Sequence, residues 1–122
     1  MGGWFAGFFK SKGLEVLICG KNTKLKPRDI TRQADIVIIS VPISETVKAI
    51  KETRGLMKPD ALLCDFTSLK EKAMREMLRA KCGVTGLHPL FGPLVPNLQS
   101  QTIIFCPGKD NRWTSFLKKF FE

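Results

Sequence analysis

Apolar positions change their period several times along the chain, and each change predicts an element. Trp4, Phe5, Phe8 and Phe9 recur at helical spacing until Gly13, a residue suited to ending a helix. Residues 14–19 (LEVLIC) follow as a short apolar run that predicts a strand. Residues 21–33 are polar, with Pro27 placed to open one helical turn. Residues 35–41 (DIVIISV) are almost unbroken apolar sequence rich in β-branched side chains, the pattern of a strand buried on both faces, and Pro42 ends them.

Ser44 is placed to cap the next helix, which puts Ile43, Val47 and Ile50 on one face and stops at Gly55. A turn at Lys58-Pro59-Asp60 leads into a buried strand at 61–64. Ser68 and Glu71 have the S-x-x-E spacing of a capping box, in which hydroxyl and carboxylate satisfy otherwise unpaired helix N–H groups. The helix behind it is expected to turn Leu69, Ala73, Met77 and Leu78 inward and to end at Gly83. Residues 84–87 read as a strand, 88–100 as a Pro- and Gly-rich loop, and 102–106 as a further strand broken by Pro107-Gly108. Trp113, Phe116, Leu117, Phe120 and Phe121 form an amphipathic stripe. Strands alternating with helices predict right-handed βαβ units, an α/β fold with a mostly parallel sheet and flanking helices.

Composition narrows the class. The 122 residues suit one domain with a core of its own, and 43% are apolar. No apolar run reaches the roughly 18 residues of a membrane span, and the start lacks a secretory pattern. The expectation is a soluble, cytoplasmic protein with no membrane partner. Cys19, Cys64, Cys82 and Cys106 form no C-x-x-C pair, and with His88 as the one histidine a zinc finger is excluded on ligand count, so no metal site is expected. The thiols read as small core hydrophobes.

The net charge of +9 changes the picture more. Lys10, Lys12, Lys21, Lys24, Lys26, Arg28 and Arg32 crowd one stretch against only Glu15 and Asp29. Such a field attracts the phosphates of a nucleotide or of nucleic acid, or simply makes a solvated basic face. Charge alone leaves all three open.

In open α/β sheets ligands bind beyond the carboxyl ends of the strands. The residues expected there are Gly20, Lys21 and Asn22; Ser40, Val41 and Pro42; Asp65, Phe66, Thr67 and Ser68; and Gly86, Leu87, His88 and Pro89. The histidine therefore falls where a reactive group is needed, in a segment, GLHPLFGP, whose prolines restrict the backbone and could fix the direction of an imidazole. Ser68 has the helix cap as a competing role. Asp65 either orients a neighbour or ends its strand, and Lys70 either attracts an anion or stays solvated.

The segments ADIVIISVPISETV, DFTSLKEKAMREML and GLHPLFGP, in this order and spacing, closely resemble the nucleotide-binding domain of prephenate dehydrogenases, which with their arogenate-using relatives belong to tyrosine biosynthesis. The resemblance extends through WFAGFFKSKGLEVLICGKN and QTIIFCPG, essentially the whole chain. It implies a Rossmann-like fold and an NAD(P)-dependent oxidative decarboxylation, in which hydride passes from the hydroxyl-bearing ring carbon to the nicotinamide as CO2 departs. By this resemblance His88 is the catalytic histidine that helps remove the ring hydroxyl proton, and Ser68 places that hydroxyl. Gly2, Gly20, Lys21, Asn22, Ser40, Val41, Pro42 and Thr67 are the expected cofactor-binding residues. Enzymes selecting NAD often carry an acid at the second strand end for the ribose 2′-hydroxyl. Here Cys19-Gly20-Lys21-Asn22 offers none, and Lys24 or Arg28 would favour a 2′-phosphate, so NADP is expected over NAD.

The family pattern also departs from this sequence. Relatives place a strand and a full G-x-G-x-x-G loop before this helix, and Gly2 matches only the last glycine. A central strand of that kind contributes apolar side chains stabilising by roughly 1.5–3 kcal/mol each, against a typical net stability of about 5–15 kcal/mol. Three outcomes are open: strands two and four pair directly, a second chain fills the gap as a homo-oligomer or dimer, or the polypeptide is longer. Relatives also continue into a helical dimerisation domain. The expectation is weak cofactor binding and no measurable dehydrogenase activity from this chain alone. The competing expectation is a non-catalytic basic protein that binds nucleotide or nucleic acid, or an oligomerising module, on a degenerate Rossmann fold. Nucleic acid is disfavoured, because the Phe residues lie on core-type stripes rather than interleaved with the basic ones.

Overall fold

In the computed structural model, which describes residues 1–20 and 22–122, the chain runs α1 (Gly2–Ser11), α2 (Pro27–Ile30), a 3-10 turn (Thr31–Gln33), β1 (Ile36–Ile39), α3 (Ile43–Arg54), β2 (Leu62–Asp65), α4 (Lys70–Met77), β3 (Gly83–Pro89), β4 (Ile103–Lys109) and α5 (Arg112–Phe120). The strands form one sheet in the order β1-β2-β3-β4. β1 pairs parallel with β2 and β2 parallel with β3, with α3 and α4 as the crossovers, while β4 returns antiparallel beside β3. This is a mostly parallel, Rossmann-like α/β sheet with helices on both faces.

Alternation along β2 explains the layers. Leu63 faces α3 and α4, packing with Ile39, Ile50, Ala73, Met77 and Val84. Leu62 and Cys64 face the other way, onto Leu87, Leu117 and the aromatic side chains of α1 and α5. Leu62, Leu63, Val84 and Leu87 are fully sealed from solvent, each such side chain stabilising the fold by roughly 1.5–3 kcal/mol. Phe5 joins α1 to both neighbours, its ring 4.4 Å from that of Phe66 and 5.8 Å from that of Phe121.

The first helix ends as its sequence predicts, with Gly13 at φ +86°, and Pro27 opens the short α2. Residues 14–19 differ from expectation. They form no strand, and Leu17 and Ile18 are 42% and 50% exposed. A lone extended segment gains nothing without a ladder partner. Among the described residues β1 is the edge of the sheet, and it does not pair with residues 14–19. For the same reason Ile36, Val37 and Ile38 are half-buried rather than sealed on both faces.

Both proposed serine caps are corrected. Pro42, not Ser44, occupies the N-cap of α3. Leu69, not Ser68, occupies that of α4, with no side-chain cap bond. Lys70, the first residue of this helix, reaches its ammonium back to Asp65, and Ser68 lies exposed outside the first turn. Leu69 and Leu78 point to solvent, 67% and 42% exposed, and only Ala73 and Met77 of the expected stripe are buried. Gly83 begins β3 rather than ending α4, and β3 extends to Pro89, so His88 belongs to a strand. β4 is not broken at Pro107-Gly108 but runs to Lys109, with a register shift opposite Val84 and Thr85. An edge strand tolerates the missing proline N–H, and Gly108 admits the Val84 carbonyl to 2.5 Å of where a Cβ would stand.

Candidate functional site

Ile39 is the register partner of Asp65, and Asp65 of Gly86, so the parallel strands approach their carboxyl ends level with one another. The segments leaving them wall a cleft of about 550 Å³. Gly2 and Gly3 of α1, Ser40, Val41 and Pro42 after β1, Phe66, Thr67 and Ser68 after β2, and His88 of β3 line it. Seven of the ten residues expected to be catalytic or cofactor-binding therefore meet in one place: Gly2, Ser40, Val41, Pro42, Thr67, Ser68 and His88. Gly20 and Asn22 do not line it, and Lys21 lies outside the described residues. Gly20 instead closes a local turn, its N–H donating to Thr23 Oγ1 at 2.7 Å.

The start of α1 enters this cleft without a side-chain cap and without an acidic residue in its first turn. Phe5 N–H is the first to find a helical carbonyl, that of Met1, which leaves earlier N–H groups for an anion at the positive end of the helix. Gly2 packs closely against Ser40, and a Cβ there would lie 3.1 Å from Ser40 Oγ, a tight contact.

Asp65 organises the next wall. Its carboxylate is fully buried, takes Lys70 Nζ at 2.6 Å on one oxygen, and accepts the Thr67 N–H at 3.2 Å on the other. Asp65 thus orients a neighbour, and Lys70 is engaged internally rather than solvated. Thr67 Oγ1 lies 3.2 Å from Thr46 Oγ1, and Thr46 donates to the Pro42 carbonyl at 3.2 Å. Sequence reading missed Thr46. Its signal is the spacing of Thr46, Ile50 and Thr53, which form the buried face of α3.

His88 is half-buried opposite Ile104 of β4. The segment beyond it is strapped to α1: Trp4 Nε1 donates to the Val95 carbonyl at 2.8 Å, and the Phe91 ring stands 5.3 Å from Trp4 and 5.9 Å from Phe5. Burial pushes the Cys64 thiol far above its ordinary range and raises Cys82 as well, which suits core packing and not nucleophilic chemistry. Cys19 and Cys106 are only half-buried.

A nicotinamide dinucleotide fits this donor set. The cavity has the size usual for cofactor sites, an uncapped helix start lines it, and hydroxyls following two strand ends share it with an imidazole.

Residues 6–122 match the family described as prephenate dehydrogenase, nucleotide-binding domain. The whole chain is 32% identical to a protein of Methanocaldococcus jannaschii named "probable arogenate/prephenate dehydrogenase", covering 31% of it. Over 89% of its length it is 33% identical to the T-protein of Haemophilus influenzae, covering 29% of that protein. Over 49% of its length it is 34% identical to the 4-amino-4-deoxyprephenate dehydrogenase of Streptomyces pristinaespiralis. The chain spans under a third of the length of these relatives.

Proposed function

This chain belongs to the prephenate dehydrogenase family through its nucleotide-binding domain, and we propose that it holds NAD(P) in the cleft at the carboxyl edge of the sheet for oxidation of prephenate or arogenate, a step of tyrosine biosynthesis. The observation that carries this reading is the convergence of Gly2, Ser40, Val41, Pro42, Thr67, Ser68 and His88 on one cleft. The bound nucleotide supplies a hydride acceptor. The chain's own groups do the rest: the first N–H groups of α1 attract the phosphates, and Ser40, Val41 and Pro42 shape the wall against the cofactor. His88 takes the proton of the ring hydroxyl, and Ser68, exposed and free of the helix cap, directs that hydroxyl.

NADP is the preferred nucleotide in this reading, since no acid stands at Cys19-Gly20-Lys21-Asn22 and Lys24 and Arg28 supply positive charge nearby. No Lys or Arg side chain is among the described residues lining the cleft. We expect no measurable turnover from this chain alone, with cofactor binding weak but specific. Calorimetric titration with NADP+ and NAD+ tests the binding: saturable, one-to-one binding tighter for NADP+ supports it, and no heat with either overturns it. Reduced nucleotide formed from prephenate by the purified chain would overturn the expected inactivity.

A second reading, a homo-oligomeric module, is favoured by β1, the edge strand among the described residues, four apolar residues without a charge or proline to blunt it. Sedimentation showing only monomer at high concentration would remove it.

A further inference from the structure

The hydroxyls of Thr46 and Thr67 have a fixed direction. Thr46 Oγ1 stands 3.2 Å from the carbonyl oxygen of Pro42 and 3.2 Å from Thr67 Oγ1. A carbonyl only accepts, so both contacts are hydrogen bonds only when Thr46 gives its single proton to the Pro42 carbonyl, which also accepts the Glu45 N–H at 2.8 Å. Thr46 therefore meets Thr67 as an acceptor, and the Thr67 hydroxyl must donate its own proton inward. The wiring runs from Thr67 to Thr46 to the Pro42 carbonyl. What Thr67 Oγ1 has left is acceptor capacity alone, and Thr67 is one of the residues lining the cleft.

Nothing nearby lets this arrangement rotate freely. The Thr67 N–H is held by Asp65 Oδ2 at 3.2 Å, and Asp65 is held in turn by Lys70. Thr46 is 2% exposed and Thr67 8%, so water competes little for either hydroxyl. A phosphate oxygen at Thr67 would set acceptor against acceptor. A group bearing N–H or O–H would find a ready partner.

We propose that Thr67 is a specificity-determining acceptor, selecting the hydrogen-bond-donating half of the dinucleotide, and that Thr46 is the positioning residue that sets its polarity. The donor is the carboxamide N–H of the nicotinamide or a ribose hydroxyl, and phosphates are left to the start of α1. This rests on the NAD(P) reading above and deepens it. Thr46 acts only through Thr67.

The test uses the full chain with NADP+ as probe. T67V and T46V, each losing a hydroxyl at nearly constant volume, are expected to weaken NADP+ binding roughly three- to tenfold, while T46S restores affinity. The 3-acetylpyridine analogue of NADP+, which lacks the carboxamide N–H, separates the two donors. If T67V leaves the analogue's affinity unchanged the carboxamide is the donor, and if it weakens both ligands alike the ribose hydroxyl is. Inorganic pyrophosphate should bind wild type and T67V equally, and weaker pyrophosphate binding by T67V overturns the proposal. So does NADP+ binding that neither T67V nor T46V alters. Should T46V fail to fold, T67V with the same ligands carries the test.

The wiring has its own readout without ligand: a slowly exchanging Thr67 hydroxyl proton in NMR spectra, close to Thr46 and lost in T46V. If wild type binds no dinucleotide while that proton is present, the NAD(P) reading and the ligand assignment both fall, and the hydroxyl polarity stands. Bound dinucleotide with the proton absent overturns the polarity alone.

Discussion

Asp65 and Lys70 form a buried ion pair directly behind the cleft, with Nζ 2.6 Å from Oδ1 and the carboxylate wholly sealed from solvent. The two ends are not equivalent. Lys70 keeps 16% of its side chain exposed and can relax toward water, whereas Asp65 cannot. K70M, which strands the buried carboxylate, is expected to cost about 3–5 kcal/mol, and D65N distinctly less. The double variant should recover much of the K70M loss. Urea unfolding of the four proteins checks the order, and a D65N loss equal to that of K70M would contradict it.

The acid limb of stability has an identifiable contributor. Arg54 donates to the Glu76 carboxylate and, at 3.2 Å, to the Glu76 carbonyl, which ties α3 to α4. The hydrogen bond from Arg54, aided by its charge, holds the Glu76 carboxyl below the ordinary glutamate range. A depressed folded-state pKa means a contribution present above the unfolded value, about 4.3, and lost as pH falls through the lower folded value. The gap in melting temperature between wild type and E76Q is therefore expected to be constant above that range and to close below it. A gap that widens on acidification would show the sign to be wrong.

Glycine positions divide by what a methyl group would meet. At Gly83 a Cβ would stand 2.3 Å from Asn111 Nδ2. That amide donates to the Ala61 carbonyl at 2.9 Å, while Asn111 Oδ1 caps α5 by accepting the Trp113 N–H. G83A should thus dislodge a helix cap and remove one of the two hydrogen bonds to the Ala61 carbonyl, which also accepts the Gly83 N–H at 3.0 Å, a loss of about 2–4 kcal/mol. Gly7, inside α1 with open space around it, is the control: G7A is expected to stabilise by about 0.5–1 kcal/mol. Equal thermal shifts for both would refute the distinction.

These cases show what the sequence makes legible. Residues 61–64 are a four-residue apolar run between a turn and a helix, too short for a helix of its own and legible as a buried strand. The cleft was readable too, since residues that follow parallel strands collect at one edge whatever their side chains do. The starts of α3 and α4 were not: Pro42 and Leu69 hold their N-caps in place of Ser44 and Ser68, and Lys70 of α4 is paired across space with Asp65. Residues 14–19 have strand-like composition, but pairing requires a neighbour, and local sequence does not encode whether one is there. The spacing of Thr46 with Ile50 and Thr53 signals its burial, but a threonine on an amphipathic helix carries no sign of the hydroxyl it will face.

Trp4 offers the sharpest separation of local from global stability. Its indole N–H donates to Val95, while its ring stacks on Phe8 and meets Phe91 edge-on. W4F keeps an aromatic ring for both contacts and removes the hydrogen bond that holds the segment beyond His88 against α1. Loss of one such bond costs about 1 kcal/mol, and it falls on a loop rather than on the sheet. Leu94, beside the anchored Val95, is 96% exposed and therefore open to a protease once the strap loosens. Limited proteolysis with an enzyme that cleaves at leucine should cut W4F at Leu94 several-fold faster than wild type, while amide exchange in β2 stays unchanged. Equal cleavage rates, or β2 exchange accelerated as much as the loop, would show that Trp4 serves the whole core and not the strap.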